Sequence, residues 1–290
     1  MTRVAFATSA EYAELTAADQ RFAAALSDRG VAVDPAVWTD ESVDWTDYDA
    51  VVVRSCWDYH TQVEAFSGWI NSLADREVPL YNAPSTIHWN THKFYLRDLE
   101  ARGVETVPTA YVRGSEQRSL EAVLDEHDWR EAVVKPAVSI GGADTWRTDR
   151  SRADSHQERF DSLQATADLL VQRFVPEITE GEWSFVFADG EYSHAVLKEP
   201  GDGEFRVHEH YGGSYAAAEP SDALVRQATE AFDAALDELG QTPLYARVDG
   251  VDVDGTFVLV ELELVEPSLF FDTVPAAAGT FADAVRARLD

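Results

Sequence analysis

Lysine is nearly missing from this chain. Of 23 basic residues in 290, only Lys93, Lys135 and Lys198 are lysines, set against 53 aspartates and glutamates. A surface emptied of lysine suggests that those remaining serve chemistry, because an ammonium is a compact point charge suited to a phosphate whereas arginine is a planar fork. Lys93 lies near the start of a predicted helix, Lys135 ends the apolar run Val133-Val134 before a glycine loop, and Lys198 sits in a predicted hairpin strand.

Cysteine occurs once, as Cys56, which excludes an internal disulfide and a cysteine-rich metal site. No apolar run approaches the ~20 residues that span a membrane. Arg3 leads straight into the strand-like Val4-Ala5-Phe6, which reads as a folded start and not as a signal peptide; a soluble, cytoplasmic protein is expected. Positive charge is scarce everywhere. The net charge of -30 is spread along the chain and offers no basic patch, which argues against nucleic acid or an anionic membrane as partner. Such a surface suits a high-salt cytosol, where screening shortens the Debye length to about 3 Å at 1 M. A halophilic origin is therefore expected.

The chain is long enough for one large domain or a few small ones. Its first part alternates strands (3–8, 31–38, 48–54, 79–82) with helices (16–29, 62–75), the pattern of a parallel sheet with ligands at the carboxyl ends of its strands. Arg54 to Tyr59 lies at such an end. A helix over 90–102, a strand over 109–112, a helix over 120–127 and a strand over 132–135 follow. The polar stretch 149–161 reads as an exposed loop and helix start. From Leu169 the texture turns antiparallel: a strand over 169–175, a hairpin around Asp189-Gly190, a helix over 222–239 capped by Ser221, and a last hairpin around Asp254-Gly255.

That last hairpin carries the sharpest signal. It reads Arg247-Val248-Asp249 on one strand and Glu261-Leu262-Glu263 on the other, with Glu266-Pro267 beyond. Alternation puts Glu261 and Glu263 on one face. A strict two-residue turn would set Asp249 opposite Val260, but one extra residue, from a longer loop or a bulge at Gly250 or Gly255, sets it opposite Glu261. Three carboxylates together call for a cation, and an all-oxygen cluster suits Mg²⁺ or Mn²⁺ shared with phosphates. Cationic strands and a glycine loop facing carboxylates describe a clamp for a nucleoside triphosphate. No Walker pattern and no Gly-x-Gly-x-x-Gly is present, which disfavours a P-loop or a nicotinamide site.

These motifs resemble the ATP-grasp ligases across nearly the whole chain. Arg54-Ser55-x-Trp57-Asp58-Tyr59 and Glu261-Leu262-Glu263-x-x-Glu266-Pro267-Ser268 are most similar to the branch of RimK-type ligases, prokaryotic glutathione synthetases and O-ureido-serine cyclo-ligases. The resemblance implies an α/β ATP-grasp fold: a parallel-sheet pre-ATP-grasp domain (1–88) and two α+β subdomains (89–170 and 171–290) clamping ATP. It implies that Lys93 and Lys135 contact phosphates and that Gly141-Gly142 belong to a flexible lid. Gln172-Arg173-Phe174-Val175 would form the adenine hinge, Glu182 would reach the ribose, and Asp249, Glu261 and Glu263 would bind magnesium. RimK-type members carry Asn where this chain has Glu263, so the cluster holds an extra negative charge. Arg206 matches a position these ligases use at the reacting phosphate, with Lys198 near enough in sequence to line the same pocket.

Arg54 has two readings, a binder of substrate carboxylate or an ion pair with one of many acids. Trp57, Asp58 and Tyr59 either wall the substrate pocket or cap the sheet. Cys56 reads as packing. His208 and His210, two residues apart, suit a mobile loop by the substrate better than a transition-metal site. The reaction implied is ATP- and Mg-dependent ligation of a small-molecule carboxylate and an amine through an acyl phosphate, inter- or intramolecular. A kinase-like transfer and a non-catalytic nucleotide-binding module remain the alternatives.

Overall fold

A computed structural model describes residues 2–290. The first unit comprises β1 (Arg3–Thr8), α1 (Ala17–Ser27), β2 (Ala32–Val37), β3 (Ala50–Val53), α2 (Val63–Asp75) and β4 (Leu80–Tyr81). They form a parallel sheet in the order β2-β1-β3-β4. β3 is buried at every position, as an unbroken Ala-Val-Val-Val run requires when both faces of a sheet are covered. Thr16 caps α1 by accepting the Asp19 N–H, which fixes the Asp19 side chain beneath the end of β3.

α3 (Pro84–Thr91) and α4 (Tyr95–Ala101) replace the single helix expected over 90–102. The chain turns extended at His92, and the Lys93 N–H donates to the Ala137 carbonyl, a tertiary bond that outweighs helical continuity. Next come β5 (Thr109–Val112), α5 (Leu120–Glu126), β6 (Glu131–Pro136), β7 (Trp146–Asp149), α6 (Ala153–Gln164) and β8 (Leu169–Arg173). Their sheet is antiparallel, ordered β5-β8-β6-β7. The antiparallel texture thus begins at Thr109, not Leu169, and β8 pairs with both β5 and β6. The expected division between residues 170 and 171 therefore cuts a strand. Most of the polar stretch 149–161 is helical and buries little beyond Ala153 and Phe160, which explains its poverty in apolar residues.

The last unit holds β9 (Glu182–Ala188), β10 (Glu191–Glu199), β11 (Ser214–Ala217), α7 (Asp222–Leu239), β12 (Tyr245–Val253), β13 (Thr256–Glu263) and α8 (Ala277–Leu289). The sheet order is β11-β10-β9-β12-β13. Asp254 and Gly255 both take positive φ (52° and 85°), the two-residue turn that matches strand twist. Even so, Asp249 faces Glu261, because Val260 is an extra residue between the pairs Asp249–Glu261 and Gly250–Leu259. The bulge at Gly250 has a steric reason: a Cβ there would stand 2.4 Å from the Phe257 ring.

α8 returns to the first unit, where Phe281 packs with Phe22 of α1 and Phe271, and Arg29 pairs with Asp283. Asn82 ties the same units together: it donates to the Tyr245 and Leu264 carbonyls and accepts from the Leu244 and Tyr245 N–H groups. Among the described residues no helix is long and apolar enough to cross a membrane.

Candidate active site

All three lysines meet at one cavity of about 680 Å³, each less than a tenth exposed. Lys93 enters from the break between α3 and α4, where its ammonium donates to the Ser139 carbonyl (2.6 Å) and lies 3.0 Å from Glu261. Lys135, at the end of β6, approaches the other oxygen of Glu261 at 3.9 Å. Burial lowers the Lys135 pKa and Lys93 adds to this, while Glu261 opposes both. Lys198, on β10, lies between Glu182 and Asp249. Burial works against its charge, but Asp249 and Glu182 outweigh it and raise the pKa.

The β12–β13 hairpin brings Asp249, Glu261 and Glu263 to the cavity as expected, but not as a bare cluster of acids. Arg247, which the sequence reading left without a role, lies opposite Glu263 and bonds both Glu263 and Asp249. The signal was present in Arg-x-Asp opposite Glu-x-Glu, a cross-strand match of charge. Asp249 is 2% exposed, and its oxygens take hydrogen bonds from Ser184, Lys198 and Arg247. These donors pull its pKa down although burial opposes them.

Asp249 is the centre of this network and faces Glu261 across the hairpin, so the three expected carboxylates lie together with their cations already among them. No three His, Cys, Asp or Glu side chains among the described residues are grouped to hold an ion by themselves. Glu261 and Glu263 do fit Mg²⁺, with 25% and 28% of their side-chain surfaces open. A hard cation held by one or two carboxylates takes its remaining oxygens from phosphates and water. Burial, partly offset by Arg247, pushes the Glu263 pKa up to about 7.

Two loops meet over the cavity. Gly141 and Gly142 adopt φ of 58° and 71°, and a Cβ on Gly142 would touch His208, Tyr211 and Arg206 at 3.3–3.4 Å. The Arg206 guanidinium lies 3.4 Å from the centre of the Tyr211 ring and bonds Glu204, so its charge is held at the cavity wall by its own loop. His208 and His210 belong to this loop and line the cavity. Burial, with Lys198 and Arg247 adding to it, takes the His208 pKa down to about 3 and keeps the ring neutral.

At the hinge, the Arg173 and Phe174 N–H groups are used by Pro108 and Glu131, and the Gln172 amide by Thr109. Of the four hinge residues, Val175 keeps an N–H with no protein acceptor among the described residues. It faces an apolar slot that the sequence did not reveal, formed by Val107, Ile178, Val251 and Val260. Glu182, expected at the ribose, lines the cavity and pairs with Lys198.

The opposite end is aromatic. Trp57 and Tyr59 line it as expected, joined by Tyr12, whose ring packs on Trp57 at 4.9 Å. Arg54 and Asp58 do not line it. Arg54 is 3% exposed and pairs with Asp19 of α1 while donating to the Pro267 carbonyl, so of its two readings the ion pair holds. Asp58 accepts from the Trp38 indole and caps the sheet. Cys56 is fully buried, its thiol pKa raised well above normal by burial, which fits packing.

Comparison with known proteins agrees with this fold. Residues 4–82 match the N-terminal domain of D-cycloserine synthetase DcsG, and residues 96–271 match the ATP-grasp domain of prokaryotic glutathione synthetase. The cycloserine biosynthesis protein DcsG of Streptomyces lavendulae is 32% identical over 274 residues, 90% of each chain. A glutathione synthetase of Nitrosomonas europaea is 29% identical over 236 residues, 79% of this chain and 68% of the relative. The crystal structure of D-cycloserine synthetase DcsG superposes with a TM-score of 0.90 at 28% identity, covering 99% of this chain and 100% of the other. The matched domains and the DcsG relative place the chain among the ATP-grasp ligases, enzymes that form a C–N bond while converting ATP to ADP.

Proposed function

We propose that this ligase activates the carboxylate of a small amino-acid-like substrate as an acyl phosphate, which a nitrogen nucleophile then opens. The supporting observation is the run of residues from β13 along one cavity: Val260 among apolar neighbours, then Glu261 and Glu263 beside the cations, then Glu266 with Trp57 bonded to its backbone. ATP would lay its base in the slot against the Val175 N–H and its phosphates toward Lys93 and Lys135. Lys198, which Asp249 and Glu182 keep charged, and Arg247 would stabilise the negative charge that develops on the transferring phosphoryl group and on the tetrahedral oxyanion. Arg206 would join them once its loop releases it from Glu204. Glu261 and Glu263 would hold Mg²⁺, whose charge would offset that of the phosphates. Positioning and charge neutralisation suffice for such chemistry. The match to D-cycloserine synthetase favours a version in which nucleophile and carboxylate belong to one molecule.

Hydroxylamine in place of the amine tests this reading, with Mg-ATP and a panel of amino acids and small carboxylates. The expected result is a hydroxamate formed together with ADP. A stable phosphorylated product in place of the hydroxamate would mean a kinase-like transfer instead.

The proposal extends to setting: a cytosol of high salt. Exposed pairs such as Arg3–Asp34 and Arg150–Asp128 engage few of the 53 acids, and the remainder repel one another. The melting temperature is expected to rise by several degrees between 0.1 and 2 M KCl. A flat or falling trend would reject the halophilic reading.

A further inference from the structure

One buried carboxylate of the cavity lacks a cation. Glu182 and Asp249 share Lys198, Glu261 has Lys93 and Lys135, and Glu263 has Arg247. Glu266 is 8% exposed and lines the same cavity, yet its carboxylate takes no hydrogen bond or ion pair from any described residue. It is nonetheless firmly placed. Its carbonyl accepts from the Trp57 indole at 3.1 Å, and the next carbonyl, that of Pro267, accepts from Arg54 at 3.0 Å. Arg54 is in turn pinned by Asp19 at 2.8 Å. Burial, with Glu263 adding to it, pushes the Glu266 pKa well above the usual carboxylate range, so the empty cavity holds it as a neutral acid. A carboxyl fixed this carefully beside a cavity, with no protein partner, is placed to ionise against a positive charge that arrives with the ligand.

The neighbours define that charge. Trp57 donates to the Glu266 backbone and packs edge-on to Tyr12, and Glu266, Trp57 and Tyr12 all line the cavity. Carboxylate and aromatic rings together suit an ammonium, which gains from both the ion pair and the ring quadrupole. We propose that Glu266, with Trp57 and Tyr12, forms a subsite for the ammonium group of the substrate, and so selects amino acids over the corresponding hydroxy acids. This deepens the ligase reading and rests on it: the carboxylate to be activated lies toward the lysines, and the ammonium of the same molecule toward Glu266.

The test uses matched pairs that differ in the ammonium alone: alanine with lactate and serine with glycerate, in both hands. Each is offered with Mg-ATP to the wild type, Glu266→Gln and Glu266→Asp. Binding is read by intrinsic tryptophan fluorescence and turnover by ADP release. In the wild type the ammonium-bearing member should be favoured. Glu266→Gln should weaken it by about 10- to 100-fold, mainly in KM, as loss of a charge-assisted hydrogen bond predicts. Glu266→Asp should recover part of the preference, and ATP affinity should match the wild type in all three, which separates a lost subsite from a misfolded protein. The proposal is overturned if hydroxy acids serve equally well, if Glu266→Gln keeps the amine preference, or if no ammonium-bearing compound binds. Ammonium binding without ADP release would remove the ligase reading and leave the subsite standing. ADP release indifferent to the ammonium would do the reverse.

Discussion

Replacing Lys135 by alanine is expected to lower kcat by about 10²- to 10³-fold, the usual cost of removing one preorganised charge from a transition state. The side chain is 7% exposed and lies 3.9 Å from Glu261, so little solvent can take its place and no other cation enters from β6. A guanidinium is a planar fork, whereas this buried position holds a compact ammonium beside Glu261. Lys135→Arg should therefore fail to restore turnover. Single-turnover ADP release with the Mg-ATP complex is the measurement, with nucleotide affinity measured in parallel. Full activity in Lys135→Ala would remove Lys135 from the phosphate site.

Asp249→Ala is expected to cost about 3–5 kcal/mol of stability, as removal of one partner from a buried ion network does. Arg247 and Lys198 both lean on this carboxylate, and Ser184 completes its shell. Without it, two buried cations face each other across β10 and β12 with Glu182 and Glu263 as remaining partners. Urea unfolding should show a lower midpoint, and activity should fall in the fraction that stays folded. Asp249→Asn keeps the shape and removes the charge, so it should also destabilise, which separates electrostatics from packing. If both variants unfold at the wild-type midpoint, the cations are better hydrated than their burial suggests.

Several elements could be read directly from local chemistry. The strand Thr109–Val112 and the helix Asp222–Leu239, with its Ser221 cap and Gly240 stop, lie where local signals placed them. The register of the last hairpin was legible as a choice, because a glycine beside the bulge left both pairings open until Phe257 was seen to fill the space of a Cβ. What escaped was decided by distant residues. No glycine or proline marks the break at Lys93; a bond to Ala137, on another element, makes it. Arg54 at a strand end looked available, but its partner Asp19 lies 35 residues earlier, on α1. α8 is rich in alanine and shows its amphipathic face only once Phe22 and Phe271 surround Phe281. In the site, the lysines and the hairpin acids stood out by their scarcity or alternation. Arg247 was one arginine among many, and Glu266 one acid among 53.

The gathering of every lysine inside one cavity has a practical consequence. Apart from its amino terminus, the exterior offers no primary amine to acylating dyes, aldehyde fixatives or amine-coupled sensor surfaces, and none to enzymes that acetylate or conjugate lysine. Reagents of that kind would find their targets only through the mouth of the clamp, so the extent of amine labelling would report on whether the clamp is open or filled, without any engineered probe.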